Sequence, residues 1–238
     1  MNGLDQLMMP PAPTKSRPLL GTTFLLVEDS RVTAESVRLL CLRSGARIRR
    51  ADSLETARRH LRVYRPNVTL IDMTLPDGSG AELIAELAAD PRRGGALIAI
   101  SGDAGMEAQA IAAGAAAFMP KPIARIADFQ AAILPHLPPE RRPVGPRACL
   151  DLQIEPDPVA YRDDLHHAAE TLRLARTEKD IAYVSQFLTG VAATAGDEAL
   201  ARAAGSLGQA PAAAAPLPER ISALNAMVHS RISRSTTL

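Results

Sequence analysis

Apolar residues follow two alternating patterns up to about residue 137 and a single pattern beyond it. In the first part, short continuous apolar runs bounded by turn residues mark interior parallel strands. Apolar residues returning every three or four positions mark amphipathic helices. Phe24-Leu-Leu-Val27 is such a run and ends in Glu28-Asp29. Ser30 is placed to cap the next helix, whose Val37, Leu40 and Cys41 share one face and which Gly45 can end. Ala46 to Ala51 carries Arg47, Arg49 and Arg50, so it is predicted as an edge strand. Asp52 and Glu55 have capping-box spacing ahead of a helix bearing Leu54, Ala57, Leu61 and Tyr64, which Pro66 closes. Val68 to Asp72 is a third run, broken at Pro76 and Gly78, and a helix from about Ala81 to Ala89 follows. Ala96 to Ile100 leads into Ser101-Gly102, a helix reaching Gly114, and a small strand from Ala115 to Met119. After Pro120-Lys121-Pro122, a last helix carries Ile126, Phe129, Ile133 and Leu137 on one face. Strict alternation of strand and helix implies a parallel sheet covered on both faces.

Pro138 to Pro158 holds six prolines, mixed charge and little periodicity, and reads as a linker. Beyond it the period is helical throughout. Leu165, Ala168, Ala169 and Leu172 mark one helix; Ile181, Val184, Leu188, Val191 and Ala195 a second; Leu200, Ala203 and Leu207 a third. Pro211 to Pro218 reads as a loop, and Ile221, Leu224, Val228 and Ile232 mark a fourth helix. Four such helices suggest an antiparallel four-helix bundle. The expected organisation is a flexible extension over 1–19, an α/β domain over 20–137, a Pro-rich linker over 138–157 and a helical module over 158–238.

Composition narrows the functions. A length of 238 residues with 47% hydrophobic content supports one large domain or two small ones with real cores. A net charge of +1 offers no basic footprint for nucleic acid, and residues 159–238 balance eight Lys/Arg against eight Asp/Glu. Cys41 and Cys149 are too few for a disulfide framework and fit a reducing compartment. No apolar run is long enough to span a bilayer, and the first 18 residues lack a signal-peptide core. The expectation is a cytoplasmic protein with no membrane contact.

Side by side, the strand ends collect chemistry. Glu28 and Asp29 end the first strand, Asp72 the third and Ser101 the fourth, and Lys121 lies just past the fifth. Three packed carboxylates repel unless a cation neutralises them. Hard oxygen ligands with open positions favour Mg²⁺, which binds phosphate oxygens. A hydroxyl and an ammonium opposite then complete a cage for a transferring phosphoryl group. Each residue alone has a bland explanation as a solvated strand-end acid or a surface lysine; their convergence does not. No glycine-rich dinucleotide or Walker pattern follows the first strand. Phosphatases of the haloacid dehalogenase type need a second acid where Thr74 stands.

With Leu26-Val27-Glu28-Asp29, Ile71-Asp72-Met73-Thr74-Leu75-Pro76, Ile100-Ser101-Gly102 and Met119-Pro120-Lys121-Pro122 in this order, residues 20–137 resemble the receiver domain of two-component response regulators. The resemblance implies a flavodoxin-like five-stranded sheet of order 2-1-3-4-5. It implies that Asp72 accepts phosphate from the histidine of a kinase or phosphotransfer protein. Glu28, Asp29, Asp72 and the backbone carbonyl of Thr74 would hold Mg²⁺. Lys121 would pair with the phosphoryl group, Ser101 would shift to hydrogen-bond it, and Phe118 would be the switch aromatic. The Lys121-Pro122 bond matches one usually cis in the family.

Within the second module helix, Gln186, Thr189, Gly190 and Ala193 lie roughly opposite the apolar face. A glycine inside a helix costs about 1 kcal/mol against alanine. It reflects either tolerance in an alanine-rich helix or a smooth exposed face that a partner can approach. The segment from Gln186 to Gly196, with Leu200 and Leu207, is similar to the signature of histidine phosphotransfer (HPt) domains. That family has its phosphorylated histidine where Gln186 stands and a lysine where Thr189 stands. A carboxamide lacks a nucleophilic nitrogen, so the module is expected to be HPt-like without onward phosphotransfer. His166, His167 and His229 are expected to be solvated or partly buried surface histidines rather than substitute phosphoacceptors. No catalytic cluster appears in 138–238, so the chain is expected not to be an enzyme. The leading function is a phosphorylation-controlled signalling protein acting through docking, homodimerisation or a downstream protein partner. The rival is a transcription regulator with a divergent helical DNA-binding output.

Overall fold

The computed structural model describes residues 11–90, 95–145, 152–208 and 216–234. The apolar runs form β1 (Thr23–Val27), β2 (Arg47–Ala51), β3 (Val68–Asp72), β4 (Ala96–Ser101) and β5 (Ala117–Pro120). They pair in parallel in the order β2-β1-β3-β4-β5. β3 is buried at every position, as a continuous apolar strand inside a sheet must be. β2 lies at the edge, where its arginines reach solvent.

Helices cover both faces: α1 (Arg31–Ser44), α2 (Leu54–Val63), α3 (Gly80–Ala88), α4 (Glu107–Ala112) and α5 (Ile126–Ile133). The two-residue period of a strand divides β1 between two cores. Phe24 and Leu26 pack with Val37 and Leu40 of α1 and Phe129 and Ile133 of α5. Leu25 and Val27 pack with Leu54 of α2, Leu83 and Ile84 of α3 and Ala110 of α4. The predicted doubly wound sheet is therefore present.

Several local expectations are corrected. Ser53, not Asp52, caps α2 by accepting from the Thr56 N–H. The helix before Gly114 starts late, because the Asp103 carboxylate accepts from the Gly105 N–H and closes a 3₁₀ turn over Ala104–Met106 first. Part of the expected N-terminal extension belongs to the domain: Leu19 is fully buried, and its N–H donates to Ser44 O at 2.9 Å. The linker also docks. Ile154 is buried, its N–H donates to Ala124 O, and Leu152 O accepts from the Ile126 N–H. Cys149 lies outside the described residues.

The helical module comprises α6 (Pro158–Leu174), α7 (Glu178–Thr194), α8 (Glu198–Gly208) and α9 (Leu217–Arg234). Pro158 opens α6 at its first turn with Asp157 as cap. Pro218 falls inside α9 and not in the expected loop, whose residues 211–215 lie outside the described ones. A full capping box from Thr177 and Asp180 starts α7. Leu165, Leu172, Val184, Leu188, Leu200, Leu207, Leu224 and Val228 form one apolar cluster shared by all four helices. Val32 of α1 joins that cluster, so the module is packed onto the α/β domain. No helix among the described residues is long and apolar enough to cross a membrane.

Candidate functional site

Parallel strands place their C-terminal ends at one edge, and the edge here is acidic. Carboxylate oxygens of Glu28, Asp29 and Asp72 all lie within 4.8 Å of one another. Gly80 lets this edge close: a Cβ there would sit 2.0 Å from the Asp72 carbonyl oxygen, so only glycine lets α3 start against β3. Lys121 Nζ lies 2.8 Å from Asp72 Oδ2 and 2.7 Å from Glu28 Oε2. The Lys121–Pro122 peptide bond is cis.

Burial pushes the Glu28 carboxyl well above the usual carboxylate range; Lys121 opposes this, and Asp72 and Asp29 add to it. Burial, then the Asp72 charge, raises Asp29 to about 6, while a hydrogen bond from Tyr183 pulls it down. Burial lowers the Lys121 ammonium, but Asp72 and Glu28 more than offset this and leave it above its ordinary value. One ammonium therefore faces three acids. That excess of negative charge at short range suits a small divalent cation with open positions for anionic oxygens.

The Ser101 hydroxyl is buried at the same edge and accepts from the Asp103 N–H at 3.1 Å. The Thr74 N–H donates to Asp72 Oδ1 at 3.3 Å. Phe118 is half-buried on β5 against the core that holds α3 and α4.

The helical module covers this edge. The Tyr183 hydroxyl donates to Asp29 Oδ2 at 2.5 Å, and the Thr74 hydroxyl donates to Gln186 Oε1 at 2.8 Å. Gly190 is buried against the α/β domain: a Cβ on Gly102 would lie 3.5 Å from Gly190 Cα, and one on Gly190 would lie 3.8 Å from Lys121 Cδ. The smooth face of α7 is thus an internal contact and not an exposed one. Ala193 stays half-buried and does not line the chamber that Gln186, Thr189 and Gly190 form with the acids.

A second contact was not legible in the sequence. Asp164 of α6 accepts from the N–H groups of Arg31 and Val32 at 2.9 and 3.0 Å and from the Ser30 hydroxyl at 2.9 Å. It caps α1 from another domain, where the helix dipole favours a carboxylate. Burial raises the Asp164 carboxyl, and the Val32 and Arg31 N–H groups oppose that. Its only sequence signal is a carboxylate beside the apolar stripe of α6. His166, His167 and His229 are exposed.

Among known proteins, the profile of the response regulator receiver domain matches residues 24–133. The transcriptional regulatory protein CitB of Klebsiella pneumoniae is 36% identical over 105 residues, which cover 42% of this chain and 44% of that protein. The match therefore spans less than half of the curated relative. A response regulator of Chloroflexus aurantiacus is 27% identical over 42% of this chain and 85% of its own, with a TM-score of 0.41. The receiver domain of a sensor histidine kinase of Pseudomonas aeruginosa, solved with magnesium in its active-site cleft, is 24% identical over 48% of this chain and 96% of its own, with a TM-score of 0.44.

Proposed function

We propose that this chain, which carries a response regulator receiver domain over residues 24–133, accepts a phosphoryl group on Asp72 from a phosphohistidine donor and signals through the helical module docked over that residue. The supporting observation is that one small chamber of about 270 Å³ is lined jointly by Asp72, Asp29, Lys121 and the module residues Gln186, Thr189 and Gly190. Any group added to Asp72 enters that chamber.

The roles follow from position. Asp72 supplies the nucleophilic oxygen. Lys121, an ion-pair distance from it, neutralises charge that builds up on a transferring phosphoryl group. Glu28, Asp29 and Asp72, with the backbone carbonyl of Thr74, are the groups that would hold Mg²⁺, which supplies further charge neutralisation when bound. Ser101 and Phe118 are the residues placed to report the change along β4 and β5.

The module is HPt-like in having four helices around one core, but no histidine lines the chamber over Asp72. Gln186 is no nucleophile, so phosphate passes no further along the chain. A cation held by Asp29 and a phosphoryl group beside Thr74 would compete with the Tyr183 and Gln186 hydrogen bonds. Occupancy of the site therefore loosens docking, and the uncovered face is the output for a protein partner. A DNA-binding output has less support, because Arg231 of α9 pairs with Asp197 within the module.

The test is exposure of the full chain to acetyl phosphate and Mg²⁺. One phosphate per chain is expected, absent from Asp72→Asn and with altered hydrogen exchange along α7. Phosphorylation that persists in Asp72→Asn sinks the assignment.

A further inference from the structure

The roof over Asp72 mixes polar side chains with the apolar Ala182, Phe187 and Val191, and a lid that only excluded water would not require the polar ones. Ser185, Gln186 and Thr189 all line it. The Ser185 hydroxyl donates to Ala204 O at 2.6 Å and the Thr189 hydroxyl to Ser185 O at 2.7 Å, so both protons stay inside the module. Gln186 reaches out instead. Its Oε1 accepts from the hydroxyl of Thr74, two residues past Asp72, and its amide N–H groups have no partner among the described residues.

We propose that Gln186 makes the docked module a phosphatase of its own receiver domain, by orienting the water that hydrolyses the acyl phosphate on Asp72. This rests on the phosphorylation of Asp72 proposed above. Gln186 lines the same chamber as Asp72 and bonds Thr74, two residues beyond it, so a water held by the carboxamide can reach a phosphoryl group from the module side. A carboxamide cannot attack, but it can hold a water that does. Its carbonyl oxygen has a second lone pair for a water proton, and its N–H can donate to a phosphoryl oxygen. Water-positioning glutamines serve phosphoryl transfer to water in this way elsewhere. The chamber of about 270 Å³ equals roughly nine water volumes at ~30 Å³ each, enough for a phosphoryl group and its attacking water.

In the step, the water oxygen bonds to phosphorus opposite the Asp72 Oδ–P bond. That bond breaks with its electron pair going to Asp72, which leaves as a carboxylate. Both water protons remain on the product, H₂PO₄⁻. A dianionic acyl phosphate and water thus become two monoanions, with no further reactant. Hydrolysis runs only while the module is docked, so the docked fraction of the phosphorylated chain sets its lifetime. The linker keeps the module near its site, which maintains that fraction even after docking loosens.

The experiment charges the full chain with acetyl phosphate and Mg²⁺, removes the donor, and follows loss of the Asp72 phosphate and release of inorganic phosphate. Gln186→Ala and the longer, non-polar Gln186→Met are each expected to lengthen the lifetime about tenfold or more, with charging of Asp72 retained. Asp164→Ala, which loosens docking from outside the chamber, is expected to act in the same direction. Unchanged or shortened lifetimes in the Gln186 variants overturn the inference, and shortened ones identify the module as a shield. Failure of the parent chain to charge at Asp72 instead removes the reading on which the inference rests.

Discussion

Single residues settle how the site is built, and the sequence showed some of them more readily than others. Glu28, Asp29, Asp72, Ser101 and Lys121 were legible because each follows a strand whose apolar run is plain, and parallel strands must bring their ends together. Gly80 was not, since its reason is a backbone approach that no pattern reports. Its missing Cβ is where the Asp72 carbonyl sits. Gly80→Ala is therefore expected to push α3 off β3 and to destabilise the domain by about 1–3 kcal/mol, the usual range for overpacking. It is also expected to reduce the rate of charging, because the clash falls on the backbone of Asp72 itself. Urea unfolding and acetyl phosphate labelling check the two effects separately. An alanine variant with unaltered stability shows that the close approach is dispensable.

At the scale of elements, periodicity located most α-helices among the described residues but not what their polar residues do. The α6 stripe predicted Leu165, Ala168 and Leu172 as core, yet Asp164 beside it is one of the residues that join the domains. Such a cap acts across 132 residues of sequence, a distance at which spacing carries no signal. The same applies to Asp197, which links the turn after α7 to α9. Arg231 bonds it at 2.8 and 3.2 Å and holds its carboxyl below the ordinary value. A carboxylate depressed in the folded chain contributes stability above its unfolded value, near 3.9, and loses it as pH falls through the folded value. Arg231→Ala is expected to cost the module ~1 kcal/mol near neutral pH, given a pair only partly shielded from water. The difference from the parent chain should shrink as the solution is acidified below about pH 4. Unfolding curves across that range measure it, and a constant difference means that Arg231 acts by packing alone.

For the whole molecule, the sequence yielded two folds and a linker but not their mutual arrangement. Docking depends on shape and on a few long-range bonds, Tyr183 to Asp29, Thr74 to Gln186 and Asp164 to the start of α1. None of these leaves a periodic trace. The arrangement has a kinetic consequence. Asp72 is only 5% exposed beneath the module, so a donor carried on a protein cannot place its phosphohistidine against Asp72 until the module leaves. A donor as small as acetyl phosphate needs far less room. The two donors therefore sample different fractions of the ensemble: the protein donor uses only the open fraction, while the small donor also uses partial openings. A change that raises the open fraction tenfold should raise the rate from the protein donor by about the same factor, as long as that fraction stays small. Asp164→Ala is such a change, because it leaves the acids and Lys121 intact and removes the module's bonds to Ser30, Arg31 and Val32 at the start of α1. Its charging by a phosphohistidine protein is expected to accelerate much more than its charging by acetyl phosphate, both measured as initial rates at equal Mg²⁺. Equal acceleration by the two donors means that the module does not gate access, and that docking acts on Asp72 only after the phosphate has arrived.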